Sequence, residues 1–257
     1  MSIFAMITEL CECYALLVIV ILKCIMGLKT TVKYKITDEA FFVLLRNVYA
    51  WMALALALTG VAAMYVSNNQ MLLEFILSSP GLFYGLLIGE VVVGLSLSLG
   101  LKKISFNTAS FLFGLYALLV GVSFAPIFWL FTQESIALTF FVTAGTFGAM
   151  SLFGYFTKRD LSPWGRYLLM GLLGIIIASV ANLFLQSTRV EWITTYVGVV
   201  VFVLFTAYDT QKIKEMLAKR DKVNEGSLKL ALYGSFMLYL DFINLFADLL
   251  KIMGKRK

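Results

Sequence analysis

Residues Leu230–Leu250 read LALYGSFMLYLDFINLFADLL. At about 1.5 Å per helical residue, this run crosses a hydrocarbon core roughly 30 Å thick. Its apolar residues are continuous rather than alternating, so it reads as a helix and not as a β-barrel strand. Two acids and an amide interrupt it: Asp241 near the middle, Asn244, and Asp248 near the end. An acid inside a membrane costs roughly 2.5–3.5 kcal/mol on insertion scales, so each is a functional candidate by default. Asp241 and Asp248 are seven residues apart. They share a helix face at about 10.5 Å along the axis, too far to touch.

The rest of the chain matches this segment. Of 257 residues, 61% are apolar and 14% are charged, and the mean hydropathy is +0.90. Soluble domains run near 45–50% apolar and about 25% charged. The composition excludes an ordinary cytosolic enzyme, a disordered chain and a coiled coil. Six further spans qualify: Val48–Val66, Leu82–Leu101, Phe106–Phe131, Ser135–Phe156, Tyr167–Gln186 and Trp192–Tyr208. The expected fold is an all-α membrane protein, a bundle of seven transmembrane helices over residues 41–257. Pro126 predicts a kink or tilt in the third span. Gly85-x-x-x-Gly89 and Gly174-x-x-x-Ala178 predict close helix packing. Asn182 and Asn244 are expected to make interhelical hydrogen bonds.

Residues 1–40 form an N-terminal extension. Tyr14–Leu28 is apolar but short, and Lys23 breaks it. Acids Glu9 and Glu12 precede it, unlike the basic start of a signal peptide. Three readings stay open: an eighth marginal span, an interfacial helix, or an upstream extension with Met26 as the true start. All three cysteines, Cys11, Cys13 and Cys24, fall here. Their spacing is neither a disulfide framework nor a good zinc pattern. The absence of histidine removes His-based catalytic pairs and His-held metals.

Fifteen Lys and Arg residues lie before the first span or in alternate loops, against Arg189 alone in the opposite loops. The positive-inside rule places the basic loops in the cytoplasm. The tail disagrees: Lys251, Lys255, Arg256 and Lys257 follow the seventh span. Either the other charges override them, or the last helix does not fully cross.

Glu90 sits nine residues into the second span, and Asp209 directly follows the sixth. Asp209 is the natural partner for Asp241 if the last helix lies beside the sixth. Two carboxylates within hydrogen-bonding reach cannot both ionise cheaply, so they share a proton and repel once it is lost. Such a pair is a pH-sensitive latch, and its ionised oxygens suit Ca²⁺. The competing reading makes Asp209 a solvated acid at a helix end.

Several stretches resemble the transmembrane Bax inhibitor motif family. They are Arg46–Gly60 (RNVYAWMALALALTG), Tyr116–Phe128 (YALLVGVSFAPIF), Phe147–Leu161 (FGAMSLFGYFTKRDL), Phe205–Ile213 (FTAYDTQKI) and Leu238–Leu250 (LYLDFINLFADLL). The resemblance runs from about residue 41 to the C-terminus, in order. It implies seven helices with the last wrapped by the other six, and a bacterial member acting as a pH-dependent calcium leak channel. The family's paired aspartates fall on Asp209 and Asp241, and its second-helix acid falls on Glu90. Its basic residue after the last helix falls on Lys251. Where some members carry an arginine that bonds the aspartates, this chain reads Leu99-Gly100-Leu101 and then Lys102. Lys102 is the expected auxiliary cation, unless the latch lacks one. The Lys212–Lys222 stretch reads as a basic loop, solvated or lying on anionic lipid.

The expected function is Ca²⁺ permeation past Glu90, Asp209, Asp241 and Asp248, gated by protonation of the aspartate pair. Ca²⁺ is the permeant ion or a ligand of Asp209 and Asp241, and no cofactor is expected. The expected partners are the bilayer, Ca²⁺ and protons, with a monomeric chain and no nucleic acid. The alternatives are a Ca²⁺/H⁺ exchanger and a modulator that binds a membrane protein such as a protease. An intramembrane aspartyl protease is disfavoured. Such enzymes place their second aspartate in Gly-x-Gly-Asp, whereas this chain reads Leu238-Tyr239-Leu240-Asp241.

Overall fold

The computed structural model describes residues 38–101, 103–220 and 222–257. The extension up to residue 37, with its three cysteines, and Lys102 lie outside the described residues. The described chain forms eight helices: α1 (Asp38–Asn68), α2 (Gln70–Ser78), α3 (Pro80–Gly100), α4 (Phe106–Leu130), α5 (Gln133–Phe156), α6 (Trp164–Leu185), α7 (Thr188–Leu217) and α8 (Glu225–Met253). Seven are long and apolar enough to cross a membrane, and the short α2 bridges α1 and α3.

Helix ends are set by local chemistry. Ser105 Oγ accepts from Thr108 N at the start of α4, and Asn69 Oδ1 from Leu72 N at the start of α2. Asn224 and Ser227 close a reciprocal capping box on α8, at 2.9 and 2.8 Å. These bonds satisfy N–H groups that a helix leaves without intrahelical partners. Pro126 lies inside α4, which continues four residues past it.

The helix α8 is the axis of the bundle. In its most apolar window 94% of residues are buried, against 22–56% in the other six. It packs on α1, α4, α5 and α7. The outer helices turn large apolar side chains outward, among them Phe111, Phe141, Ile177 and Phe184. A soluble monomer rarely exposes so much apolar surface; here it is the contact with lipid.

The last helix runs the full depth of the bundle. Near its start, Glu225 Oε1 accepts from Phe106 N at 3.0 Å, and Lys229 Nζ donates to the Ile104 carbonyl at 3.1 Å. Beyond its far end, Thr132 N donates to Lys255 O and Lys257 N to Leu130 O, at 2.9 and 3.0 Å. The tail therefore lies at the α4–α5 turn, at the end opposite the basic loops. The helix α8 thus reaches from one end of the bundle to the other.

Of the expected small-residue positions, Gly89 packs on α4, where an added methyl would sit 3.8 Å from Leu119. A methyl added at Gly85 or Gly174 would meet nothing within 4 Å. The close approaches are at Gly121, against Thr59 and Ala62 of α1, and at Gly154, against the Ala207 carbonyl of α7. Asn182 Oδ1 accepts from Ser187 N at the α6–α7 turn, and Asn244 Nδ2 donates to Leu240 O of its own helix.

Candidate functional site

Helix α7 does not stop at Tyr208. It continues nine residues to Leu217, so Asp209 lies within the helix rather than at its end. Asp209 is fully buried, which corrects the reading of a solvated loop acid. Lys212 and Lys214, expected in a loop, also belong to α7. Lys214 Nζ donates to Tyr155 O at 2.7 Å and lies 4.8 Å from the centre of that ring. Lys212 Nζ lies 5.6 Å from the Tyr208 ring centre.

Two contacts set the register between α7 and α8. A methyl at Gly234 would meet Ile213 at 3.1 Å, and one at Gly198 would overlap the Asp248 carboxylate. The helices are antiparallel. Asp209 is four residues from Ile213 and eleven from Gly198, so it shares their face of α7. Asp241 is seven from both Gly234 and Asp248, so it shares theirs on α8. By this register Asp209 and Asp241 lie on facing stripes, offset by about one turn, or about 5 Å along the axis. Helical side chains lean toward their own N-terminus, which here tilts each carboxylate toward the other. Asp241 is also fully buried.

Asp248 lies further along the same stripe. It lines a small void with Ser179, Thr194, Thr195 and Asn244, about 10 Å³ in volume. That is close to the space one water needs, with polar partners to hold it. Lys251 is three residues beyond Asp248, which makes the two neighbours on the helix surface. It is ten residues, or about 15 Å, from Asp241 along α8. Lys251 is thus inside the last turn of α8, next to Asp248 and not to the aspartate pair.

Glu90 does not join this stripe. It is buried on α3, and α3 packs on α4. Its carboxyl meets Ser123 of α4, while its Oε1 atom is buried without a hydrogen-bond partner. On α8 it lies within electrostatic reach of Tyr239, two residues from Asp241 and so on the opposite face of that helix. Glu90 therefore neighbours a face of α8 other than the one that carries Asp241. Glu90 is thus buried apart from the α7–α8 stripe, on α3 against Ser123 of α4.

Two groups were not singled out from the sequence. Thr59 Oγ1 donates to Ala117 O at 2.9 Å, and its oxygen lies 2.7 Å from the Tyr239 hydroxyl. The single threonine proton is used, so Tyr239 donates to Thr59. This ties α1, α4 and α8 in one buried bond set. Gln211 clamps the α5–α6 loop, accepting from Leu161 N and donating to Arg159 O, both at 2.8 Å. Polar residues at Thr59 and Gln211 inside or beside apolar runs were the available signal.

No group of three or more His, Cys, Asp or Glu residues comes together among the described residues. Two carboxylates supply four oxygens, and Ca²⁺ takes six to eight. Asp209 and Asp241 do not fit a tight resident Ca²⁺ site by themselves.

Residues 41–257 match the family model described as inhibitor of apoptosis-promoting Bax1. The chain is 45% identical over 212 residues to the inner membrane protein YbhL of Escherichia coli K12, covering 82% of this chain and 91% of that one. It is 42% identical over 234 residues to an uncharacterized protein of Rickettsia prowazekii, covering 90% and 97%. A third relative, from Borreliella burgdorferi, is 40% identical over 227 residues and is also uncharacterized. The chain is an integral multi-pass membrane protein and belongs to the Bax inhibitor motif family.

Proposed function

We propose that this protein is a pH-sensitive Ca²⁺ leak channel of a bacterial plasma membrane, with its basic loops in the cytoplasm. The observation that carries the reading is the burial of Asp209 and Asp241 on facing stripes of α7 and α8. Two acids inside a membrane are costly, and their retention calls for a use. When the pair shares a proton it holds α7 against α8. When the proton leaves, two negative charges repel across the interface and the helices part. Asp248 and its water-sized void extend the polar stripe toward the end that carries the tail. The sign follows: the closed form is the protonated one, so flux rises with pH. Asp160 is not the sensor. Its carboxylate accepts from Ser162 N at 2.8 Å, and bonds from Ser162 hold it below the usual carboxylate range.

The test is Ca²⁺ entry into dye-loaded liposomes holding the purified protein, scanned from about pH 5 to about pH 8. Wild type is expected to conduct more as pH rises. Asp209→Asn/Asp241→Asn is expected to lose that dependence, because amides do not titrate. The same pH profile in both proteins sinks the latch. Flux that also requires an imposed proton gradient replaces the channel with an exchanger. No flux from folded, inserted protein transfers the role to binding another membrane protein.

A further inference from the structure

A groove of about 430 Å³ opens between α1 and α5, with α4 and α8 as its floor. The helices α1 and α5 scarcely touch, and the rim carries exposed Met64, Phe140 and Phe141. In a membrane these rim residues face lipid, so the groove opens sideways into the bilayer. Its walls are apolar, including Leu56, Phe124, Phe128, Ile136 and Phe246. One end differs: Ser67, Asn68, Gln133 and Lys257 line it. Lys255 and Arg256 are exposed beside Lys257, and backbone bonds to Leu130 and Thr132 pin this basic tail over the opening.

We propose that the groove is a binding site for one anionic phospholipid, with an acyl chain lying along the floor and its headgroup at Lys257. Three observations select this occupant. The groove follows α1 from Leu56 to Asn68, which is about 18 Å and close to one leaflet of a roughly 30 Å core. Its width suits a chain and not a helix: one helical turn, about 10 Å across and about 5.4 Å high, would fill the whole volume. The charge at the polar end is basic, which complements a phosphodiester. The site is separate from the aspartate stripe, because Phe242, Ile243 and Phe246 of α8 face the groove while Asp241 and Asp248 face α7. It stands or falls independently of the channel reading.

Native mass spectrometry of the full chain, in mild detergent with equal phosphatidylglycerol and phosphatidylcholine, tests it. Wild type is expected to retain one phosphatidylglycerol, preferred over phosphatidylcholine by about fivefold or more. Ala137→Trp, which fills the groove, is expected to lose it. Leu138→Trp on the lipid-facing surface is expected to keep it. Lys255→Gln/Arg256→Gln/Lys257→Gln is expected to hold lipid without preference. Equal retention of lipid by the two tryptophan variants overturns the site, and equal retention of both lipids by wild type overturns the headgroup contact. If Ala137→Trp does not fold, brominated lipids serve instead. The Phe246→Trp indole, with the native tryptophans changed to Phe, is expected to be quenched more by brominated phosphatidylglycerol than by brominated phosphatidylcholine. Equal quenching overturns the proposal.

Discussion

At the level of single residues, the buried polar contacts are few and have separable jobs. Tyr239 donates to Thr59, which donates in turn to Ala117 O. Removing the phenol leaves Thr59 with its own acceptor, so no donor is orphaned. Tyr239→Phe is therefore expected to cost only about 0.5–1.5 kcal/mol, read as a shift in the denaturant midpoint in mixed micelles. A much larger loss would mean that the hydroxyl holds more than this one bond. Gly198 has a different role. It leaves room for the Asp248 carboxylate, which an added methyl would overlap. Gly198→Ala is expected to cost about 1–3 kcal/mol by overpacking. The same change made in an Asp248→Ala background is expected to cost clearly less, because neighbours in contact are not additive. Equal costs in the two backgrounds would separate the glycine from the aspartate.

At the level of helices, the decisive approach is that of α5 to α7. A methyl at Gly154 would strike the Ala207 carbonyl, and backbone cannot move aside as a flexible side chain can. Gly154→Ala is expected to destabilise by about 1–3 kcal/mol and to disturb the pH response, since Ala207 is two residues from Asp209. Loss of stability with an unchanged flux profile would make the contact purely structural. This approach was not legible in the sequence. A GxxxG spacing marks small residues on one face, but which face meets a neighbour is set by the whole bundle. Gly85 and Gly174 have the spacing and face open space; Gly121, between Ala117 and Ala125, has it and is packed, and Gly154 is packed without it. The seven spans were legible because long apolar windows report burial in lipid directly. Their ends were not. Asp209, Lys212 and Lys214 read as loop because charged residues end an apolar run, yet the helix continues through the interface zone and is held by Lys214 on Tyr155. The nine-residue α2 was missed for the opposite reason, being too short to register as a span.

At the level of the whole molecule, the tail carries the sharpest conflict between charge and architecture. Counting Lys and Arg puts Lys251, Lys255, Arg256 and Lys257 on the side opposite the fifteen before the first span and in the basic loops if the last helix crosses. The helix α8 has 29 residues, or about 43 Å of length, more than a roughly 30 Å core requires. It begins beside Ile104 and ends beside the α4–α5 turn, where the tail is hydrogen-bonded. Length and contacts favour a full crossing over local charge, as expected when a late helix inserts into a bundle whose orientation earlier loops have set. A labelling experiment follows, in a background with the three native cysteines changed to Ser. In intact cells, a membrane-impermeant maleimide is expected to reach Lys257→Cys from the outside. It is expected to reach Lys219→Cys only after the membrane is opened. Labelling of both positions from one side would mean that α8 turns back within the bilayer, and the facing stripes of α7 and α8 would then need a different register. Opposite-side labelling would leave Asp209 and Asp241 between the two aqueous phases, where a shared proton can separate them.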